Sequence, residues 1–330
     1  MIVRLLAFAL ISGLIALGIA LGLILTQPPT PLKDGSNTLN FESLFNQSWV
    51  LYPPSDIVEV AGTYTATKGT DLPLKTLHDP GNPDQPILLM VHGSGWHGGQ
   101  FDHLGRALAD LAEVRIVTLR GHGANPERRG DVDYLGQLED DLAAAVADAG
   151  ERKVILLGHS SGGGLVVRMA GGPHGGLIDK AILLAPFLQY DAPTTRPDSG
   201  GWARPLTRRI IGLSMLNAVG IHALDHLTAI QFAMPRAVLD GPQGHMATTA
   251  YSWRLNQSYA PRRNWQGDVA KLPEFLLIAG AGDEAMEAQA YEPAMTPANP
   301  DGTYIILPGL GHLDIVDAPE TRAAIRAFLQ

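Results

Sequence analysis

Four short apolar runs constrain this chain more than any other feature. They are Pro86-Ile87-Leu88-Leu89-Met90-Val91, Val114–Leu119, Val154–Leu157 and Ala181–Leu184. A strand with one wet face alternates apolar and polar residues, whereas near-continuous apolar runs suit strands buried on both faces of a parallel sheet. Between them, Leu135, Leu138, Leu142 and Val146 recur every three or four residues, which marks one face of a helix. Ile57–Tyr64 and Leu72–Leu77 read as strands joined through Lys68-Gly69-Thr70-Asp71. Phe275–Ala279 and Tyr304–Leu307 repeat the strand pattern, and a helix-like segment begins near Pro319. Strands alternating with helices predict an α/β fold, a mostly parallel central sheet with helices on both faces.

One stretch breaks the alternation. The chain between Leu184 and Phe275 is too long for a plain loop. It reads as a helical insertion over one end of the sheet, at about residues 189–271. Its apolar cluster of Ile210, Ile211, Leu213, Met215 and Leu216 either lines a pocket or forms the insertion's own core.

The N-terminus is a separate unit. Leu5 to Leu25 is uncharged and mostly apolar. As a helix it would span ~31 Å, about the thickness of a bilayer core. Pro28, Pro29 and Pro31 end it. The expected organisation is a transmembrane anchor over residues 1–26, a linker over 27–55 and the α/β domain over 56–330. A cleaved signal peptide is the alternative, although such segments have shorter apolar cores. Gly18 and Gly22 form a GxxxG pair able to pack helices in a membrane. Arg4 and the terminal amine favour the N-terminus inside and the domain on the extracytoplasmic side, against which Lys33 weighs.

Composition removes several classes of function. With 24 Lys and Arg against 33 Asp and Glu the formal charge is −9, and no basic run interleaved with aromatics occurs. A nucleic-acid partner is therefore not expected. The absence of cysteine excludes disulfides, thiolate nucleophiles and cysteine-held metal. No cofactor or metal is called for.

The chemistry is expected at three strand ends. Val154–Leu157 runs into Gly158-His159-Ser160-Ser161-Gly162, and a helix-like segment follows. G-x-S-x-G between a strand and a helix is the pattern of a sharp turn that lifts a serine hydroxyl above a sheet edge. Ser160 is the candidate nucleophile, and the backbone N–H of Ser161 would face a developing oxyanion at the helix N-terminus. Val91-His92-Gly93-Ser94-Gly95 follows the earlier strand and supplies a second N–H, that of Ser94. A serine hydroxyl needs a base, and the base an orienting carboxylate. Past the two late strands stand Asp283, in Gly280-Ala281-Gly282-Asp283, and His312, in Pro308-Gly309-Leu310-Gly311-His312. His312 is the expected base and Asp283 the acid, with Glu284 as the alternative acid. His92, His97, His103, His122 and His159 are read as structural.

With these residues in place, the chain resembles the α/β-hydrolases, in particular the branch of lysophospholipases, monoacylglycerol lipases and serine aminopeptidase-like hydrolases. The likeness rests on His92-Gly93-Ser94-Gly95, Arg120-Gly121-His122-Gly123, the elbow at Ser160, Asp283 and His312. Thr118 stands where family members often carry Asp ahead of R-G-H-G. The resemblance implies two-step acyl transfer through Ser160, an insertion serving as a lid, and a small-molecule or lipid acyl ester as substrate. An aminopeptidase or amidase is a second possibility, needing an acidic amine site for which Asp191, Asp198, Asp225 and Asp240 are available. A C–C hydrolase or acyltransferase with the same triad is a third, and a non-catalytic binding scaffold a remote fourth.

Overall fold

The computed structural model describes residues 1–32, 38–42 and 57–330, so most of the expected linker lies outside the described residues. Six strands come first: β1 (Val58–Thr65), β2 (Asp71–His78), β3 (Ile87–Val91), β4 (Glu113–Val117), β5 (Val154–His159) and β6 (Lys180–Leu184). The insertion carries β7 (Ala203–Pro205), β8 (Thr228–Phe232) and β9 (Ala250–Ser252), and the chain returns through β10 (Phe275–Gly280) and β11 (Gly302–Leu307). The main helices are α1 (Ile2–Leu25), α2 (Asp102–Leu108), α3 (Gln137–Ala144), α4 (Ser161–Ala170), α5 (Thr207–Asn217), α6 (Trp253–Tyr259) and α7 (Pro319–Leu329).

The central sheet has the order β1-β2-β4-β3-β5-β6-β10-β11. β1 pairs antiparallel with β2, and β2 with β4, while every later pairing is parallel. Every residue of β3, β5 and β10 is buried, as unbroken apolar runs require of strands covered on both faces. α2 packs on β4 and α7, and α4 on β5 and α3. Because β3, β5, β6, β10 and β11 run the same way, the loops after them emerge at one edge of the sheet, where ligands bind in open α/β folds.

The boundaries differ from the sequence reading by a residue or two at most strand ends. Leu135 precedes α3 and is 47% exposed, so the apolar stripe begins at Leu138. The insertion is only partly helical. Its three-stranded antiparallel sheet, β7-β8-β9, consists of strands of three to five residues, too short for a period to register in sequence.

α1 is 24 residues long, with a mean hydropathy of 2.6 in its most apolar window, enough to cross a membrane. Its first turns are exposed, but Ala20 and Ile24 are buried against Leu213, Leu216, Ala229 and Trp253 of the insertion. The cluster in α5 is therefore packing, not a pocket lining, and Ile211 faces outward. A Cβ added at Gly18 or Gly22 would meet nothing within 4 Å, so the GxxxG pair packs no other helix closely in this chain. Arg208 and Arg209 donate to carbonyls at the end of α1, Thr26 O at 2.9 Å and Ile24 O at 3.3 Å. Cations and donors at a helix C-terminus satisfy carbonyls that have no intrahelical partner.

One buried ion pair fixes the loop after β4. Arg120 grips Asp141 with two hydrogen bonds, 2.8 and 3.0 Å, and Asp141 also accepts from the Thr67 backbone and hydroxyl. Both side chains are nearly inaccessible. Asp141→Ala would strand a buried guanidinium. It is expected to cost about 3–5 kcal/mol in a urea unfolding titration; a loss below about 1 kcal/mol, the range of an exposed pair, would contradict this reading.

Candidate active site

β5 stops at His159 and α4 starts at Ser161, so Ser160 makes the whole turn between them, at φ 54° and ψ −121°. Such a conformation costs a non-glycine residue about 1–3 kcal/mol and persists only where its surroundings enforce it. Here they do. A Cβ on Gly158 would lie 2.4 Å from Gly162 O, and one on Gly162 would lie 2.2 Å from Val91 O. The glycines let strand, turn and helix approach closely. The Ser160 N–H donates to Leu184 O at 2.8 Å, and its carbonyl accepts from Phe187 N at 2.9 Å, tying the turn to the end of β6.

The parallel register of β10 on β11 pairs Gly280 with Leu307, so the loops carrying Asp283 and His312 leave the sheet side by side. His312 Nε2 lies 2.9 Å from Ser160 Oγ, and His312 Nδ1 lies 2.8 Å from Asp283 Oδ2. All three residues are buried. Asp283 Oδ1 accepts from the N–H groups of Ala285 and Met286, at 2.8 and 2.7 Å, which locks the carboxylate in place. Glu284 turns elsewhere and accepts the backbone N–H of His312 at 2.8 Å. It supports the histidine loop without reaching the ring. His159, neutral because burial lowers its pKa to about 3, lies with Nε2 3.0 Å from His312 O and donates to it.

The electrostatics suit a base. Burial by itself would lower the pKa of His312, but the Asp283 carboxylate, by charge and hydrogen bond, and Glu284 behind it outweigh burial and raise it above the ordinary value. Burial would raise the pKa of Asp283, yet His312 and the two N–H donors hold it lowered. Asp283 is thus ionised wherever His312 titrates.

Three consecutive N–H groups follow β3, and two are already committed. Gly93 N–H donates to Gln100 Oε1 at 3.1 Å and Gly95 N–H to the Tyr251 hydroxyl at 2.7 Å. The N–H of Ser94, between them, has no acceptor among the described residues, nor has that of Ser161 in the first turn of α4. Ser94, Ser160 and Ser161 line one cavity. The Tyr251 hydroxyl in turn donates a hydrogen bond to His122 Nε2, 2.7 Å away. His122 is neutral, its pKa lowered to about 4 chiefly by burial, and its Nδ1 donates to Arg120 O. His92 is structural too: Nε2 accepts from Leu119 N–H at 3.1 Å and Nδ1 donates to Gly93 O at 2.8 Å. The R-G-H-G segment therefore braces the Ser94 loop through a tyrosine of the insertion. Gln100 and Tyr251 were invisible to sequence reasoning, because no motif surrounds either one.

The cavity, about 60 Å³, is walled by Phe187, Trp202, Ile230, Phe232, Tyr259 and Met286. Among the described residues no carboxylate lines it. Asp191 pairs with Arg263 and Asp240 with Arg236; Asp225 is bonded to Asn217, and Asp198 is exposed. None of the four acids available for an amine site faces the cavity. A second, smaller cleft reaches His312 from beside Trp96 and Leu313, and Leu39 and Phe41 close it. Among the described residues no group of metal-ligating side chains is assembled.

The α/β hydrolase family model matches residues 88–325, and the chain belongs to this family. The Caenorhabditis elegans protein named "Probable protein phosphatase methylesterase 1" is 22% identical over 253 residues, 72% of this chain and 67% of that protein. Among solved structures, a soluble variant of monoglyceride lipase from Saccharomyces cerevisiae superposes with a TM-score of 0.64 at 17% identity, covering 85% of this chain and 98% of that one. The monoacylglycerol lipase of Paleococcus ferrophilus gives 0.57 at 18% identity, covering 82% and 98%. At these identities the superpositions speak for the fold.

Two predictions follow from the geometry. Tyr251→Phe removes the acceptor of a buried N–H, a loss of about 1–3 kcal/mol. If the Ser94 loop serves a transition state, kcat should fall about tenfold or more with little change in KM; an unchanged kcat would refute this bracing role. The second concerns pH. His312 accepts a proton only when neutral, so activity should fall as pH drops through its raised pKa. The acid limb of kcat/KM should therefore lie above 6.5, the ordinary histidine value. A limb well below that value would contradict the assignment.

Proposed function

We propose that this protein is a membrane-tethered serine hydrolase that cleaves carboxylic esters of apolar acyl groups. The observation that carries the reading is the hydrogen-bonded line from Ser160 Oγ through His312 to Asp283, beside two uncommitted N–H groups. In the first step His312 Nε2 takes the Ser160 proton as Oγ attacks the acyl carbonyl carbon. The tetrahedral oxyanion is held by the N–H groups of Ser94 and Ser161. Collapse breaks the ester C–O bond, and His312 gives its proton to the departing alcohol. Water then enters, loses a proton to His312 and attacks the acyl-Ser160 ester. Collapse of the second intermediate returns that proton to Ser160 and frees the acid. Asp283 keeps His312 in the tautomer with Nε2 open to Ser160 and stabilises the imidazolium between steps.

The aromatic and aliphatic walls of the cavity favour an apolar acyl group, and its small volume favours a short or slender one. His312 borders the second cleft, so that cleft takes the leaving alcohol. The lack of a carboxylate at the cavity among the described residues weighs against a free-amine substrate, and so against the aminopeptidase reading. The esterases and lipases with the same fold are consistent with ester cleavage. The length and hydropathy of α1 support an uncleaved anchor, and Arg4 supports an extracytoplasmic domain.

The test is hydrolysis of a p-nitrophenyl ester series of increasing acyl length by the full chain, beside Ser160→Ala. Ester turnover is expected, lower in the variant by about ten-thousandfold or more. Turnover that survives in Ser160→Ala, or cleavage of aminoacyl amides in preference to every ester, would overturn the proposal.

A further inference from the structure

The anchor does not simply lead into the domain; it is built into the insertion. Arg208, at the start of α5, meets Thr26 and Gln27 at the end of α1, with N–H···Oε1 to Gln27 at 2.7 Å. One turn on, Gly212 sits so close that a Cβ there would lie 2.5 Å from Ala20 O and against Leu23 and Ile24. Leu213 and Leu216 complete the contact. As α5 ascends in sequence its contacts descend along α1, so the two helices are antiparallel. At 1.5 Å per residue the end of α5, Asn217, lies roughly 14 Å from Arg208, back along the anchor.

Rising out of that contact, residues 218–223 read Ala-Val-Gly-Ile-His-Ala and are all exposed, Val219 by 72% and Ile221 by 40%. Ile211 adds a further exposed aliphatic on α5. The last carbonyls of α5 are satisfied within the chain. Gly220, at φ 78°, permits paired bonds from Ile221 N to Leu216 O and from Gly220 N to Asn217 O, both 3.0 Å. This closure satisfies the last carbonyls within the chain. Asn217 Nδ2 caps Leu213 O at 3.0 Å and bonds Asp225, and Asn217 Oδ1 takes His222 Nδ1 at 2.7 Å. An apolar medium demands such internal satisfaction of polar groups.

We infer that α5 and the turn of residues 218–223 enter the same membrane leaflet that α1 leaves, making a second contact with the acyl region of the lipids. The inference rests on the reading of α1 as a spanning anchor, since α1 sets the depth. Arg208 then lies at head-group level, while Val219 and Ile221, past the far end of α5, lie more than about 10 Å deeper, among the acyl chains. The insertion wall of the cavity is held to this contact by short links. Leu206 N donates to Ala229 O at 2.8 Å, and Arg209 to Thr228 O at 3.2 Å, both in or beside β8, whose Ile230 and Phe232 line the cavity. The cavity is thereby held close to the membrane surface, where an acyl lipid is available.

The chain contains no cysteine, so one introduced thiol is unique. Val219→Cys, Ile221→Cys, Leu14→Cys in the anchor and Glu151→Cys at the opposite end of β5 would each carry an environment-sensitive NBD probe. The full chain would be reconstituted in phosphatidylcholine–phosphatidylglycerol vesicles, with turnover of a soluble ester as the check on folding. Blue-shifted emission, quenched by doxyl-labelled lipid, is expected at residues 14, 219 and 221, and water-like emission at 151. Lipid contact at 14 but water at both 219 and 221 would overturn the inference and leave the anchor standing. Water at 14 as well would overturn both.

Discussion

The backbone at Ser160 is the constraint on which the site depends. A serine at φ 54° is held there because β5, β6 and the first turn of α4 leave the chain no alternative path. Close packing pays for that strain: the unbroken burial of β3 and β5 draws the sheet together, and Gly158 and Gly162 let the helix descend onto it. A methyl group at either glycine would collide with backbone that cannot move without disturbing the sheet. The same geometry that costs stability lifts the hydroxyl out of the sheet and leaves the Ser161 N–H, in the first turn of α4, without an acceptor among the described residues.

Around this turn, charge and hydrogen bonding are arranged in two separate networks. One runs from Ser160 through His312 to Asp283 and ends on backbone N–H donors, so a buried carboxylate stays ionised and keeps the histidine basic. The other runs from Gly95 through Tyr251, His122 and Arg120 to Asp141 and uses neutral histidine, held neutral by burial. In the proposed mechanism the first network moves protons; the second holds a loop still. Tyr251 belongs to the insertion, so the covering layer also supports the loop that carries Ser94.

Much of this was legible in sequence. Strands buried on both faces announce themselves as apolar runs, and Asp283 and His312 follow such runs closely, so their edge of the sheet could be deduced before their contacts were known. What stayed hidden lacks local periodicity or depends on distant contacts. The strands β7 and β9 have three residues each. Gln100 and Tyr251 act through single hydrogen bonds between segments far apart in the chain. The apolar face of α5 was visible, but its partner was not: that it packs on α1 is set by tertiary structure alone. Ile210 to Leu216 read equally well as pocket or packing until the position of α1 decided between them.

The proposed chemistry depends on one reacting atom, Ser160 Oγ, activated by His312. Intact-mass and peptide mapping after treatment with a fluorophosphonate would test it most directly, with the wild-type chain beside His312→Ala. A single adduct on Ser160, strongly slowed in the His312 variant, is the predicted result. No adduct on folded protein, or an adduct on Ser94, Ser161 or Ser199 of the same cavity in place of Ser160, would contradict it.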